Sequence, residues 1–240
     1  MTRRRWIADE VEGDRAALLG AHAAHLARVL RARVGQKFDI AAGQHVRRGT
    51  VVSVTDVRVD FALGGEVAVS SSAYVSLLLS VFKFDRMEWA IEKCTELGAA
   101  RIIPTIARRT DAHLAKAAEK RVERWMRIAV QASEQSRRVT PPEINVPAKL
   151  NAELLASFSG ANIVLAESEE QVSLKQALSE YRTQAPDIPV ALAIGPEGGW
   201  TEDELKLFSR NGWKSTTLGD TILRAETAAI AALAIVMSER

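Results

Sequence analysis

From Tyr74 onward, short apolar runs alternate with segments whose apolar positions recur every three or four residues. "YVSLLLSVF", "RIIPTI", "NIVLA", "VALAI" and "STTLG" read as strands. Between and after them, "DRMEWAIEKCTELG" is an amphipathic helix closed by Gly98, Lys116 to about Ser136 is a long helix, and "AELLASF", "SLKQALSEY", "EDELKLFSR" and "TAAIAALAIVM" are further helices. Strands alternating with helices predict an α/β fold with a mostly parallel sheet covered on both faces. The first seventy residues differ. After a short helix around "HAAHLARVLRA", ended by Gly35, the runs "KFDIAAG", "VRRGTVVSVTD" and "VRVDFALGG" alternate partially between turn residues, as in a small β-barrel. "GGEVAVSSSA", Gly64 to Ala73, reads as a linker and divides the chain into 1–72 and 73–240. No internal repeat or low-complexity tract is visible.

Composition narrows the class. With 240 residues, 47% of them hydrophobic, the chain has enough apolar material for a sizeable core. A single cysteine, Cys94, excludes an intramolecular disulfide, a Cys-based zinc site and an iron–sulfur cluster, and fits a reducing cytoplasm. "YVSLLLSVF" and "AAIAALAIVM" are far short of the roughly 20 apolar residues of a membrane span. "MTRRRWIADE" has no apolar stretch behind its arginines, so it is expected to belong to the folded protein. Charge is asymmetric: residues 1–150 carry 25 Lys and Arg against 17 Asp and Glu, whereas residues 151–240 carry 7 against 13. A basic front part fits a polyanionic partner, and solvated helix faces give the same pattern.

In open α/β sheets, ligands bind beyond the carboxyl ends of the strands. Three loops occupy such positions: "AESEE" after "NIVL", "GPEGGW" after "VALAI" and "GDTILRAET" after "STTL". "GPEGGW" has neither the GxGxxG spacing of a dinucleotide turn nor the Gly-Lys-Ser/Thr of a P-loop. It combines a stiff proline, two glycines that permit positive φ or close approach, and a helix start where Thr201 and Glu204 fit a capping box. Such a loop suits recognition of an adenine or ribose through backbone groups; an ordinary tight connection is the other reading. Arg224 and Glu226 are either an ion pair at a helix start or reactive groups. The four histidines show no metal-ligand arrangement, and the five tryptophans read as packing rather than base-stacking, with both readings open for Trp6 beside the arginines.

Taken together, "KFDRMEWAIEKCTELGAARIIP", "RIAVQASEQSRR" followed by "PPEI", "AIGPEGGWTEDEL" and "LGDTILRAETAAIAAL" resemble the RsmE family, the 16S rRNA (uracil-1498-N3) methyltransferases of the SPOUT class. The resemblance spans about Tyr74 to Met237, and "HLARVLRARVGQ" is similar to that family's first helix. It implies a PUA-like barrel over 1–72 and a SPOUT α/β domain over 73–240 with a C-terminal deep trefoil knot. It implies S-adenosylmethionine as cofactor, held by Leu165, Glu167, Ile194, Gly195, Pro196, Glu197, Gly198, Gly199, Leu218, Gly219, Ile222, Leu223, Arg224 and Thr227. Methyl transfer to uracil N3 needs help in removing a proton or stabilising an anion, for which Arg109, Arg137, Arg138, Arg224 and Glu226 are the candidates, with Glu134 as another orienting or accepting carboxylate. Arg3, Arg4, Arg5, Arg28, Arg31, Arg47, Arg48, Lys83 and Arg86 are the expected RNA contacts. The implied partner is 16S rRNA, in an assembled small subunit; the expected protein is a cytoplasmic homodimer with no metal and no membrane. One departure concerns "EQSRR": many members have a glycine between Ser and Arg there, which leaves open whether Arg137 or Arg138 enters the site. Alternatives are a SPOUT enzyme acting on a different nucleotide and a non-catalytic RNA-binding assembly factor.

Overall fold

The computed structural model describes residues 5–42, 45–67, 74–136, 138–185 and 187–239. Two compact units result: Met1–Ser71 with Ser133–Pro141, and Ser72–Ala132 with Pro142–Arg240.

In the first unit, β1 (Arg5–Ile7), β2 (Glu10–Glu12), β3 (Arg15–Leu19), β4 (Lys37–Ala42), β5 (His45–Val54) and β6 (Arg58–Glu66) form one sheet in the order β1-β4-β5-β6-β3-β2. β1 runs parallel to β4, and the other pairs are antiparallel. Ala8 N–H donates to Ala41 O (2.9 Å) and Asp9 N–H to Ala17 O (3.0 Å), so the chain leaving β1 bonds to both β4 and β3 and the sheet curls. The inward face carries Leu18, Ile40, Val51, Val59 and Phe61, all buried, with Leu26 packed over them. Gly49 leaves room for the Ile40 side chain of β4, since a Cβ there would lie 2.4 Å from Ile40 Cγ1.

Two features of this unit differ from the sequence expectation. Three short strands precede residue 20, too brief for alternation to reveal. The helix starts at Gly20 as α1 (Gly20–Ala24), continues as one wide π turn (His25–Val29) and stops there, well before Gly35. Arg31 then takes a left-handed conformation at φ 49°, which ends the helix without glycine.

The second unit follows the predicted alternation. Its elements are β7 (Val75–Ser80), α2 (Phe84–Leu97), β8 (Arg101–Ile106), α3 (Ala112–Ala117), α4 (Val122–Ser136), β9 (Glu143–Ile144), β10 (Ala148–Lys149), α5 (Ala152–Ala156), β11 (Ala161–Leu165), α6 (Leu174–Gln184), β12 (Val190–Ile194), α7 (Glu202–Arg210), β13 (Lys214–Thr216) and α8 (Ala225–Ser238). The sheet is parallel throughout, in the order β10-β8-β7-β12-β11-β13, with β9 also on β8. Its strands are apolar at consecutive positions because both faces are covered. Val75, Leu77 and Leu79 of β7 point to a cluster with Met87, Ile91, Trp125 and Leu233, while Leu78 points to another with Leu155, Phe208 and Trp213. The long helix expected from Lys116 begins earlier, at Ala112, where the Asp111 carboxylate accepts the His113 and Leu114 amides, and it is interrupted by a tight turn at Glu119–Arg121 before α4.

Candidate active site

Because β12, β11 and β13 are neighbours, the loops leaving their carboxyl ends meet. They enclose a cavity of about 480 Å³, completed by Arg109 from the loop after β8 and Arg86 from α2. Each loop has a local cause. After β12, Gly199 N–H closes a turn onto Pro196 O (2.8 Å), and Gly199 sits at φ 68°, where a Cβ is strained. Trp200 folds back so that its indole Nε1 donates to Leu165 O at the end of β11 (3.0 Å). Gly195 makes room for that ring: a Cβ there would be 3.3 Å from Trp200 Nε1. α7 then starts with a full capping box between Thr201 and Glu204, as the sequence predicts.

The loop after β11 is fixed by Glu169, whose carboxylate accepts the backbone N–H groups of Gln171 (2.9 Å) and Val172 (3.0 Å); those bonds hold it below the usual carboxylate range. The loop after β13 runs beside it. Thr217 N–H donates to Val172 O (2.9 Å) and Leu174 N–H to Thr217 O (3.0 Å). Gly219, at φ 123°, turns the chain toward the start of α8.

Thirteen of the fourteen residues expected around a cofactor line this cavity; Thr227, exposed on the first turn of α8, does not. Arg109 and Arg224 line it as well, and Arg109 Nη1 donates to Gly198 O at 2.7 Å. Arg86, expected among the RNA contacts, also lies in the wall, with Nη1 3.1 Å from Glu197 Oε1 and Nε 3.7 Å from Glu226 Oε1. Glu226 is buried on α8, and its Oε2 has no hydrogen-bond partner among the described residues.

None of the remaining described candidates lines this cavity. Arg3, Arg4 and Arg137 are outside the described residues. Arg138 belongs to the first unit, where its Nε donates to Thr140 O (3.2 Å) and burial lowers its pKa. Glu134 is 2.9 Å from His22 Nε2, and His22 Nδ1 lies 3.1 Å from Asp9, so this carboxylate serves the first unit; burial pushes its pKa up. Arg28 pairs with Asp56 (2.7 Å), Arg47 with Asp14 (2.7 Å) and Arg48 with Asp39 (3.1 Å), while Arg31 is exposed. Lys83 precedes α2 and is exposed; Arg5 is in β1.

Sequence reasoning missed Trp200, Thr216, Thr217 and Asp220 as wall residues. The signal for the last three was their place at and just beyond the end of a parallel strand. Among the described residues, no group of three or more His, Cys, Asp or Glu is placed to hold a metal ion, and no helix is long and apolar enough to cross a membrane.

The model of the RNA methyltransferase domain matches residues 70–237. The chain belongs to this family. Among RNA methyltransferase relatives, the ribosomal RNA small subunit methyltransferase E of Synechocystis sp. is 35% identical over 162 residues, 67% of this chain and 52% of its own. That of Rickettsia conorii is 33% identical over 161 residues, 67% of this chain and 62% of its own. The matched stretch thus spans little more than half to just over three fifths of those relatives' length. Their name is that of the family which the sequence motifs resemble. A crystal structure of the ribosomal RNA small subunit methyltransferase E from Neisseria gonorrhoeae, bound to S-adenosyl methionine, superposes with a TM-score of 0.83 at 26% identity, covering 99% of this chain and 98% of that one.

Proposed function

We propose that this protein methylates N3 of a uracil in 16S rRNA of the small ribosomal subunit, with S-adenosylmethionine as methyl donor. The observation that carries this reading is the convergence of the β11, β12 and β13 loops on one cavity in a member of the RNA methyltransferase domain family. The cavity residues fit the cofactor. Leu165, Leu218, Ile222 and Leu223 offer apolar contact for an adenosine, Gly198 and Gly199 offer bare backbone, and Glu167 offers a carboxylate. Thr216 Oγ1, in the same wall, is buried without a partner among the described residues and has a hydrogen bond to give.

Bound S-adenosylmethionine supplies an electrophilic methyl group on a sulfonium. The protein's part is orientation and charge. Arg109 and Arg224 would stabilise the negative charge that develops on the uracil ring as its N3 proton leaves. Glu226, buried beside Arg86, would orient that arginine or take the proton; Arg137 and Arg138 remain candidates for contact with the nucleotide.

The finer architecture belongs to the same proposal. The curled six-stranded sheet would be a PUA-like barrel carrying RNA contacts. The run of Thr217 alongside Val172 and Leu174 before the chain enters α8 supports a trefoil knot. The apolar, Ala-rich α8 supports a homodimer, and the setting would be cytoplasmic. The test is incubation with methyl-labelled S-adenosylmethionine and small subunits lacking native methylation, followed by nucleoside mass spectrometry. 3-Methyluridine is the expected product; label in another nucleoside overturns the substrate, and no label with measured cofactor binding favours a binding protein.

A further inference from the structure

Glu204 has more to do than cap a helix. A capping box uses one carboxylate oxygen, and here Oε2 fills that role, accepting Thr201 N–H at 2.8 Å and the Thr201 hydroxyl at 2.9 Å. Oε1 accepts the backbone N–H of Arg108 at 2.7 Å, ninety-six residues earlier in the chain. At 4% exposure the carboxylate is out of water, so each oxygen needs a protein donor.

The partner amide sits in a tight turn. Thr110 N–H donates to Ala107 O (3.1 Å) and its hydroxyl accepts Ala107 N–H (3.0 Å), which leaves Arg108 and Arg109 at the tip. From that tip, Arg109 Nη1 donates to Gly198 O at 2.7 Å. The turn after β8 is therefore joined twice to the segment after β12: by the Glu204 carboxylate in the first turn of α7 to the backbone before Arg109, and by the Arg109 guanidinium to the Gly198 backbone before Gly199.

We propose that Glu204 is a positioning residue that fixes the Ala107–Thr110 turn so that Arg109 reaches the cavity and braces the Gly198 carbonyl. The inference rests on the proposed methyl transfer for its catalytic consequence, but the brace itself is measurable without activity. Glutamine at 204 keeps the shape and replaces one oxygen by an NH2 group, which must face either the Arg108 or the Thr201 amide, donor against donor.

The experiment compares Glu204→Gln, Arg109→Ala, the double variant and Thr201→Ala. Hydrogen exchange reads the turn and the loop; methyl transfer to small subunits reads the chemistry. For Glu204→Gln we expect faster exchange of the Arg108 amide and of the amides of residues 197–199, and roughly tenfold slower transfer. Arg109→Ala should lose a similar factor, with no further loss in the double variant, because the two residues act as one unit. Thr201→Ala, which weakens only the cap, should lower Tm while leaving the Arg108 amide protected and transfer within about twofold. Unchanged exchange at Arg108 and 197–199 in Glu204→Gln, or losses that multiply in the double variant, overturns the proposal. A wild-type protein that transfers no methyl group overturns the proposed function instead, and the exchange data then decide the brace alone.

Discussion

Trp200→Phe tests whether the cavity is held together from below. The substitution keeps an aromatic ring beside Phe208, whose centroid is 4.9 Å away, and removes the N–H that donates to Leu165 O at 3.0 Å. Such a bond contributes about 1 kcal/mol net, and the smaller ring leaves a void costing about another 1–2 kcal/mol. Unfolding free energy should fall by about 2–3 kcal/mol, which for a chain of this size lowers Tm by about 4–12 °C. Because the lost bond ties the two loops that line the cavity on either side, S-adenosylmethionine should also bind about tenfold more weakly, a change of about 1.4 kcal/mol. Trp213→Phe is the matched control. Trp213 continues the same aromatic row, 5.3 Å from Phe208, and its indole donates to Leu155 O at 3.4 Å, away from the cavity. It should lose stability and keep its affinity. Calorimetric titration and thermal melts of both variants give the comparison; equal loss of affinity in the two, or none in Trp200→Phe, would refute the reasoning.

Other consequences are simpler to state. Gly199→Ala places a Cβ at φ 68° with no atom nearer than 3.8 Å, so the cost is backbone strain alone, about 1–2 kcal/mol in urea unfolding. Glu169 has its folded pKa lowered by the Gln171 and Val172 amides, so its contribution is present above the unfolded value, near 4.3, and is lost as pH falls through the folded one. Glu169→Gln should therefore flatten the fall of stability on the acid side, measured as urea midpoints against pH; an unaltered slope counts against the role given to this carboxylate. Cys94 is buried and its thiol is pushed up to about 12, so a thiol reagent at pH 8 should label it only as fast as the protein unfolds.

How much of this could be read beforehand depends on distance along the chain. β12 is legible because a strand covered on both faces must be apolar at every position, and "VALAI" is. The cavity loops are legible because they follow such strands and carry the proline and glycines that a sharp exit needs. The bond from Glu204 to Arg108 is not, since nothing local marks a capping carboxylate for a second donor. Trp200 looks like packing in sequence, and it does pack; its N–H partner lies on another strand. Arg86 reads as one of the RNA-contacting cations, and only the fold brings it to Glu197 and Glu226. β1 and β2 are three residues each, shorter than any period that could announce them. The break before α4 falls among alanine, glutamate and lysine, good helix formers whose propensity the tertiary packing overrides.

The strand order also sets a timetable for biosynthesis. β7 gains β8 as a neighbour soon after it is made, but its other edge waits for β12, where Val75 pairs with Val190. Until then the first strand of the sheet, buried along its whole length in the folded protein, has an open edge, a state prone to wrong pairing during translation. The ligand cavity comes later still, because Ala225 and Ala228 are part of its wall. A growing chain on the ribosome would thus remain unable to hold a small molecule here until the first turns of α8 had emerged, and ligand could assist only the docking of that helix, not the pairing of the strands before it.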